Sequence, residues 1–218
     1  MIKKRLKFEK TDRAKYISHL DLMRTFQHSF IRAGIAIKHT EGFNPHPYIS
    51  IALPLSLGCE SFCEVLDIEL DAETPDIARA LNPWLPEGIK IISEAEPVSK
   101  VGMIKYVRCR VSLVYDDTRA ADRVEALRAL FASKPLVVQK KTKRGMADID
   151  LSENISEVQV TSPADNIAQV EAVISAAEPA INPTNLADAV KNAGGELTPD
   201  FVSCARLEIY DKNMKIFA

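Results

Sequence analysis

Apolar and polar positions along the chain recur with a period of two in some stretches and near 3.6 in others. Residues 4–9 alternate Leu6 and Phe8 with polar neighbours and predict a strand. A helix follows from about Ser18, where Leu20, Met23, Phe26, Phe30 and Ile31 recur at three- and four-residue steps and form a core stripe. Ser18 and Asp21 have the spacing of a capping box with Asp in place of Glu, and Gly34 stands just past the helix end. Short strands over residues 35–39 and 48–53 flank the turn-rich Glu41-Gly42-Phe43-Asn44-Pro45-His46-Pro47. A further strand covers residues 62–70. Thr74-Pro75 opens a second helix with Pro at its first position, and residues 89–92 close the unit as a strand.

Residues 93–102 contain Pro97 and Gly102 and few large apolar side chains, which marks a linker. A similar order then restarts. Residues 106–115 predict a strand, 117–131 a helix, 136–141 and 172–175 strands, Asn182-Pro183 a helix start, and 204–210 the last strand. Residues 145–169 find no place in this order. The two halves, 1–97 and 103–218, each read β-α-β-β-α-β, the split-βαβ arrangement. The expected fold is therefore α+β, two tandem ferredoxin-like domains with antiparallel sheets and a basic loop insertion in the second.

Length and composition narrow the function classes. With 218 residues, 46% hydrophobic and 27% charged, the chain has the make-up of folded domains. No apolar run approaches the roughly 20 residues of a membrane helix, so no membrane role is expected. The basic start, Met1-Ile2-Lys3-Lys4-Arg5-Leu6, leads into charged residues and predicts no signal peptide. Four scattered Cys make no disulfide framework, and a cytoplasmic location is expected. The net charge of −2 conceals an uneven layout. Residues 1–48 hold ten Lys/Arg against four Asp/Glu and all four His, whereas residues 49–100 hold three against ten. Lys134, Lys140, Lys141, Lys143 and Arg144 crowd one later stretch. This excludes a uniformly basic nucleic-acid protein and leaves room for a basic patch.

The densest segments are Tyr16-Ile17-Ser18-His19-Leu20-Asp21, Glu41-Gly42-Phe43-Asn44-Pro45-His46-Pro47 and Ala52-Leu53-Pro54-Leu55. They continue into Ser61–Leu70 with Glu64 and Leu66-Asp67-Ile68, and later into Lys143-Arg144-Gly145 and Asp148-Ile149-Asp150. On these residues the chain resembles the bacterial radical-SAM-linked (radical-SAM-associated) proteins, a family of unknown function. The resemblance implies association with a radical-SAM protein as partner and supplies no reaction. The chain is not itself the radical enzyme: Cys59 and Cys63 have the first spacing of a C-x3-C-x2-C cluster loop, but Leu66 stands at the third position.

Three kinds of chemistry are open to these residues. His19, His46, Cys59 and Cys63 are zinc-ligand types, but no pair has the tight spacing of established sites, and the two Cys read first as small, partly buried hydrophobes near a turn. His19 and His46 are weak candidates for acid–base catalysis. Anion recognition draws on more of the sequence. The first-helix start (Ser18, His19, Asp21) presents N–H groups, and Arg24, His28 and Arg32 recur at four-residue steps as a basic stripe. Phe43, Asn44 and His46 lie in a loop stiffened by Pro and suited to stacking on a base, while Lys141, Lys143 and Arg144 add charge from the second half. The expected function is a non-catalytic accessory protein of a radical-SAM system that binds an anionic ligand, foremost RNA such as tRNA or rRNA, or docks the partner enzyme. The alternatives are a metal- or histidine-dependent enzyme acting on RNA and a pure protein–protein adaptor. The adaptor would dock through Glu60, Glu64, Asp67, Glu69 and Asp71.

Overall fold

A computed structural model of the protein describes residues 2–142 and 145–217. The chain divides into two compact units, Met1–Met103 with Ile216–Ala218, and Ile104–Lys215. The first contains β1 (Ile2–Lys10), a 3-10 turn (Asp12–Tyr16), α1 (His19–Arg32), β2 (Ile49–Ala52), β3 (Cys59–Leu70), α2 (Ile77–Leu81) and β4 (Ile89–Ala95). Its strands lie in the order β4-β1-β3-β2, with all three pairings antiparallel. The second contains β5 (Ile104–Val114), α3 (Val124–Ala132), β6 (Val137–Thr142), β7 (Gly145–Asp150), β8 (Ile155–Ala164), β9 (Ile167–Ser175), α4 (Pro183–Ala193) and β10 (Phe201–Asp211). There the order is β10-β5-β9-β8, and β6 and β7 form a separate two-stranded ribbon.

Two tandem ferredoxin-like domains are not the architecture of this chain. Eight strands belong to a single large sheet, accompanied by four helices. The expectation failed because it allotted each half its own sheet of four short strands. β3 instead runs for 12 residues and buries Cys63 and Val65 on one parity as well as Leu66, Ile68 and Leu70 on and around the other. A strand apolar on both faces belongs inside a large covered sheet, not in a small one with a wet face. The unplaced residues 145–169 supply β7, β8 and the start of β9, so the second half holds more strands than a β-α-β-β-α-β unit. The strand expected at 35–39 is reduced to the two bridges Ile37–Leu70 and His39–Pro47.

Local signals set the helix ends. Ser18 caps α1 and its Oγ accepts from the Asp21 N–H. At the other end Gly34, at φ +68°, allows the Gly34 N–H to reach the Ile31 carbonyl and the Ile35 N–H to reach that of Phe30, the paired bonds of a Schellman motif. Pro183 opens α4 behind the cap Asn182, as its spacing implied, but α2 starts at Ile77 behind Asp76, so Pro75 precedes the helix. The first unit's core joins Leu6 and Phe8 of β1 to Phe26 and Phe30 of α1, Phe8 and Phe26 meeting edge-on at 5.0 Å. Among the described residues no helix is long and apolar enough to cross a membrane.

Candidate functional site

The segment before α1 is fixed from below. Lys10, only 2% exposed, sends its ammonium to the Ile17 carbonyl at 2.7 Å and more weakly to that of Lys15 at 3.4 Å. Ser18 therefore enters the helix from an anchored position. Its Oγ donates to Asp21 Oδ2 at 2.7 Å, and Arg24 Nη1 donates to Asp21 Oδ1 at 3.0 Å. The Ser18 hydroxyl, aided by Arg24, holds the Asp21 carboxyl below its ordinary range. The helix start thus carries its own carboxylate, and a phosphate would meet that charge first. His19 is exposed beside it.

Downstream, the chain from Lys38 to Tyr48 folds back on itself. The Tyr48 N–H bonds to the Lys38 carbonyl at 2.8 Å, the Thr40 N–H to the His46 carbonyl at 2.8 Å, and the His46 N–H to Thr40 Oγ1 at 2.9 Å. These bonds hold the turn shut and leave Phe43, at 112% of its reference surface, standing clear at the tip with Asn44 and His46 exposed nearby. Where this loop meets α1, a cleft of about 490 Å³ is lined by His28 from the helix and by His39 and Pro47 from the base of the loop. The structure thus brings one member of the basic stripe, His28, to the loop. Arg24 and Arg32 are exposed on the same helix.

The other expected groups are not assembled with this site. Cys59 and Cys63 are free thiols buried in β3, each 1% exposed, whereas His19 and His46 lie at the surface. Among the described residues no group of three or more His, Cys, Asp or Glu side chains is placed to hold a metal ion. Neither His19 nor His46 makes a side-chain hydrogen bond among the described residues. Lys141 lies on β6 opposite Met146, and Lys143 and Arg144 fall outside the described residues.

The uneven charge layout has a structural cause. Antiparallel pairing of β1 with β3 sets Lys3 against Glu69 at 3.0 Å and Arg5 against Asp67 at 2.7 Å, while Lys4 meets Glu73 and Lys15 meets Glu60. Glu64 is buried. Much of the basic first segment, and most of the acidic face considered for docking, is therefore spent internally. Sequence reasoning missed Lys10 and His39, and put Asp71 on an acidic docking face instead of at the cleft. Lys10 had a signal, since it continues the Leu6, Phe8 alternation onto the core side. His39 had none, and nothing tied Asp71 to His28, because only the tertiary fold brings the three to one cleft.

A CRISPR-associated protein from Thermus thermophilus is similar over 94% of this chain and 100% of that one, with 16% identity and a TM-score of 0.25. No curated protein matches the sequence. Residues 3–183 match the family described as "Uncharacterized protein conserved in bacteria (DUF2344)", and the chain belongs to that family.

Proposed function

We propose that the protein is a non-catalytic accessory protein that binds RNA through the exposed side of α1 and the loop between His39 and Pro47. The observation that carries this is Phe43, a bare aromatic ring at the tip of a loop held rigid by the Thr40–His46 bonds. A large apolar ring so fully exposed on an ordered turn suits stacking on an unpaired base. Arg24 and Arg32 supply cationic groups about two helical turns apart for the phosphate backbone, and Arg32 has no carboxylate partner among the described residues. A radical-SAM enzyme is the partner proposed for this RNA-holding role, on the strength of the motif resemblance over residues 16–70.

Binding of labelled tRNA and rRNA fragments over a salt series tests the RNA role. Affinity is expected to fall steeply with salt, and the joint change Arg24→Ala and Arg32→Ala to flatten that slope by about two charges. Phe43→Ala is expected to weaken binding by about 1–3 kcal/mol at every salt concentration, since stacking is not screened. No binding at low salt, or binding indifferent to all three substitutions, sinks it.

A further inference from the structure

The cleft beside α1 has two kinds of wall. Phe30, Ile35 and Ile37 give it an apolar floor, while His28, His39 and Asp71 are exposed at its rim beside the half-buried Gln27. Its volume of about 490 Å³ lies within the roughly 300–1,000 Å³ typical of small-ligand sites. The rim has a definite polarity. His39 Nδ1 lies 2.9 Å from the Ile37 carbonyl, an acceptor, so Nδ1 carries a hydrogen. Asp71 is anchored by its own N–H on the Ala36 carbonyl at 3.0 Å, and its carboxylate makes no ion pair among the described residues. An apolar slot edged by a carboxylate, an amide and two imidazoles selects a flat ligand whose edge donates hydrogen bonds.

We propose that this cleft takes one unstacked guanine base of a single-stranded RNA. The assignment rests on the RNA-binding role above and adds to it the base that is read. Guanine presents N1–H and the 2-amino group side by side, which matches the two oxygens of an ionised carboxylate such as Asp71. Its O6 accepts, which suits the Gln27 amide. Adenine places a lone pair at N1 against the carboxylate, and uracil flanks its single N–H with carbonyls, so both are disfavoured at the same edge. His28 and His39 offer ring faces for stacking, as aromatic side chains do for splayed RNA bases.

Short labelled uridine oligomers with one central guanosine, inosine or adenosine, bound to the intact chain at low salt, provide the test. The guanosine oligomer is expected to bind about tenfold tighter than the adenosine one, the discrimination of a single bidentate base contact. Inosine, which keeps N1–H but lacks the 2-amino group, is expected to fall between them. Asp71→Asn replaces an acceptor by a donor at equal size and is expected to erase the preference while leaving salt-dependent binding of the plain uridine oligomer. Equal binding of the three oligomers by the unaltered protein overturns the guanine site and leaves RNA binding standing. Absence of all binding at low salt overturns both. A guanosine preference that survives Asp71→Asn and His39→Ala alike puts the base outside this cleft and overturns the assignment.

Discussion

Lys10 carries an ammonium into the interior of the first unit, where its hydrogen bonds to the Ile17 and Lys15 carbonyls fasten the approach to α1. Burial pushes its pKa below the usual 10.5, and the nearby Glu64 and Cys59 partly oppose that shift. The folded state therefore holds this proton less tightly than the unfolded chain does. Stability linked to Lys10 is fully present only above 10.5 and is lost as pH falls through the lowered folded value. Lys10→Met removes both the titration and the donor. At neutral pH it is expected to cost about 1–3 kcal/mol, because two carbonyls lose their partner. Urea unfolding followed by the fluorescence of Trp84, the chain's one Trp, measures this. The deficit of Lys10→Met is expected to widen as pH rises from neutral toward 10.5, and a deficit independent of pH contradicts the linkage. The expected strand stops at residue 9, and although Lys10 continues the Leu6, Phe8 alternation, nothing in the sequence names what its charged head meets. Its partners are backbone carbonyls, which no residue pattern announces.

At the scale of elements, local chemistry was legible and phase was not. The Ser18 cap, the Gly34 stop and Pro183 at the start of α4 are short-range features, and each is present. The α1 stripe is turned from the expected one: Leu22, Phe26, Ser29 and Phe30 are buried, whereas Leu20 is 67% and Ile31 76% exposed. Both stripes satisfy a 3.6-residue period, and packing on β1 chose between them. At the approach to α3 the sequence marked a helix but not its clasp. The Arg123 guanidinium forks onto both Asp117 oxygens at 2.7 Å, donates to the Glu196 carbonyl at 2.6 Å, and lies 4.1 Å from the Tyr115 ring centre. These bonds hold the Asp117 carboxyl down at about 2. Its contribution to stability is thus present above the ordinary 3.8 and lost as pH falls through about 2. Carboxyl titration by NMR is expected to give a midpoint near 2 in the native protein and one close to 3.8 in Arg123→Met. An unmoved midpoint in the variant means that other groups hold the charge.

Over the whole molecule, the net charge of −2 is the sum of a basic and an acidic segment that antiparallel pairing lays against each other. That pairing is why a segment with an excess of Lys and Arg leaves only a narrow basic face on α1. Which strands share a sheet was beyond the sequence, because pairing depends on residues far apart along the chain. The same holds for the chain's return to its first unit. Residues Ile216–Ala218 belong with Met1–Met103, and Phe217, 3% exposed, is packed 4.6 Å under the Arg5 guanidinium. Arg5 also grips Asp67 through two bonds of 2.7 and 2.8 Å and reaches the Ser99 carbonyl at 2.9 Å. One guanidinium thereby joins β1, β3, the segment after β4 and the last residues of the chain. Phe217→Ala strips the ring from this arrangement and is expected to cost about 3–5 kcal/mol, the range for emptying a buried aromatic site. Phe217→Leu keeps most of the apolar volume but loses the ring face, and is expected to cost less than half as much. The Trp84 signal lies within the same unit, so its urea midpoint reads the loss directly. If Phe217→Ala leaves that midpoint in place, the ring of Phe217 does not contribute to holding the first unit closed.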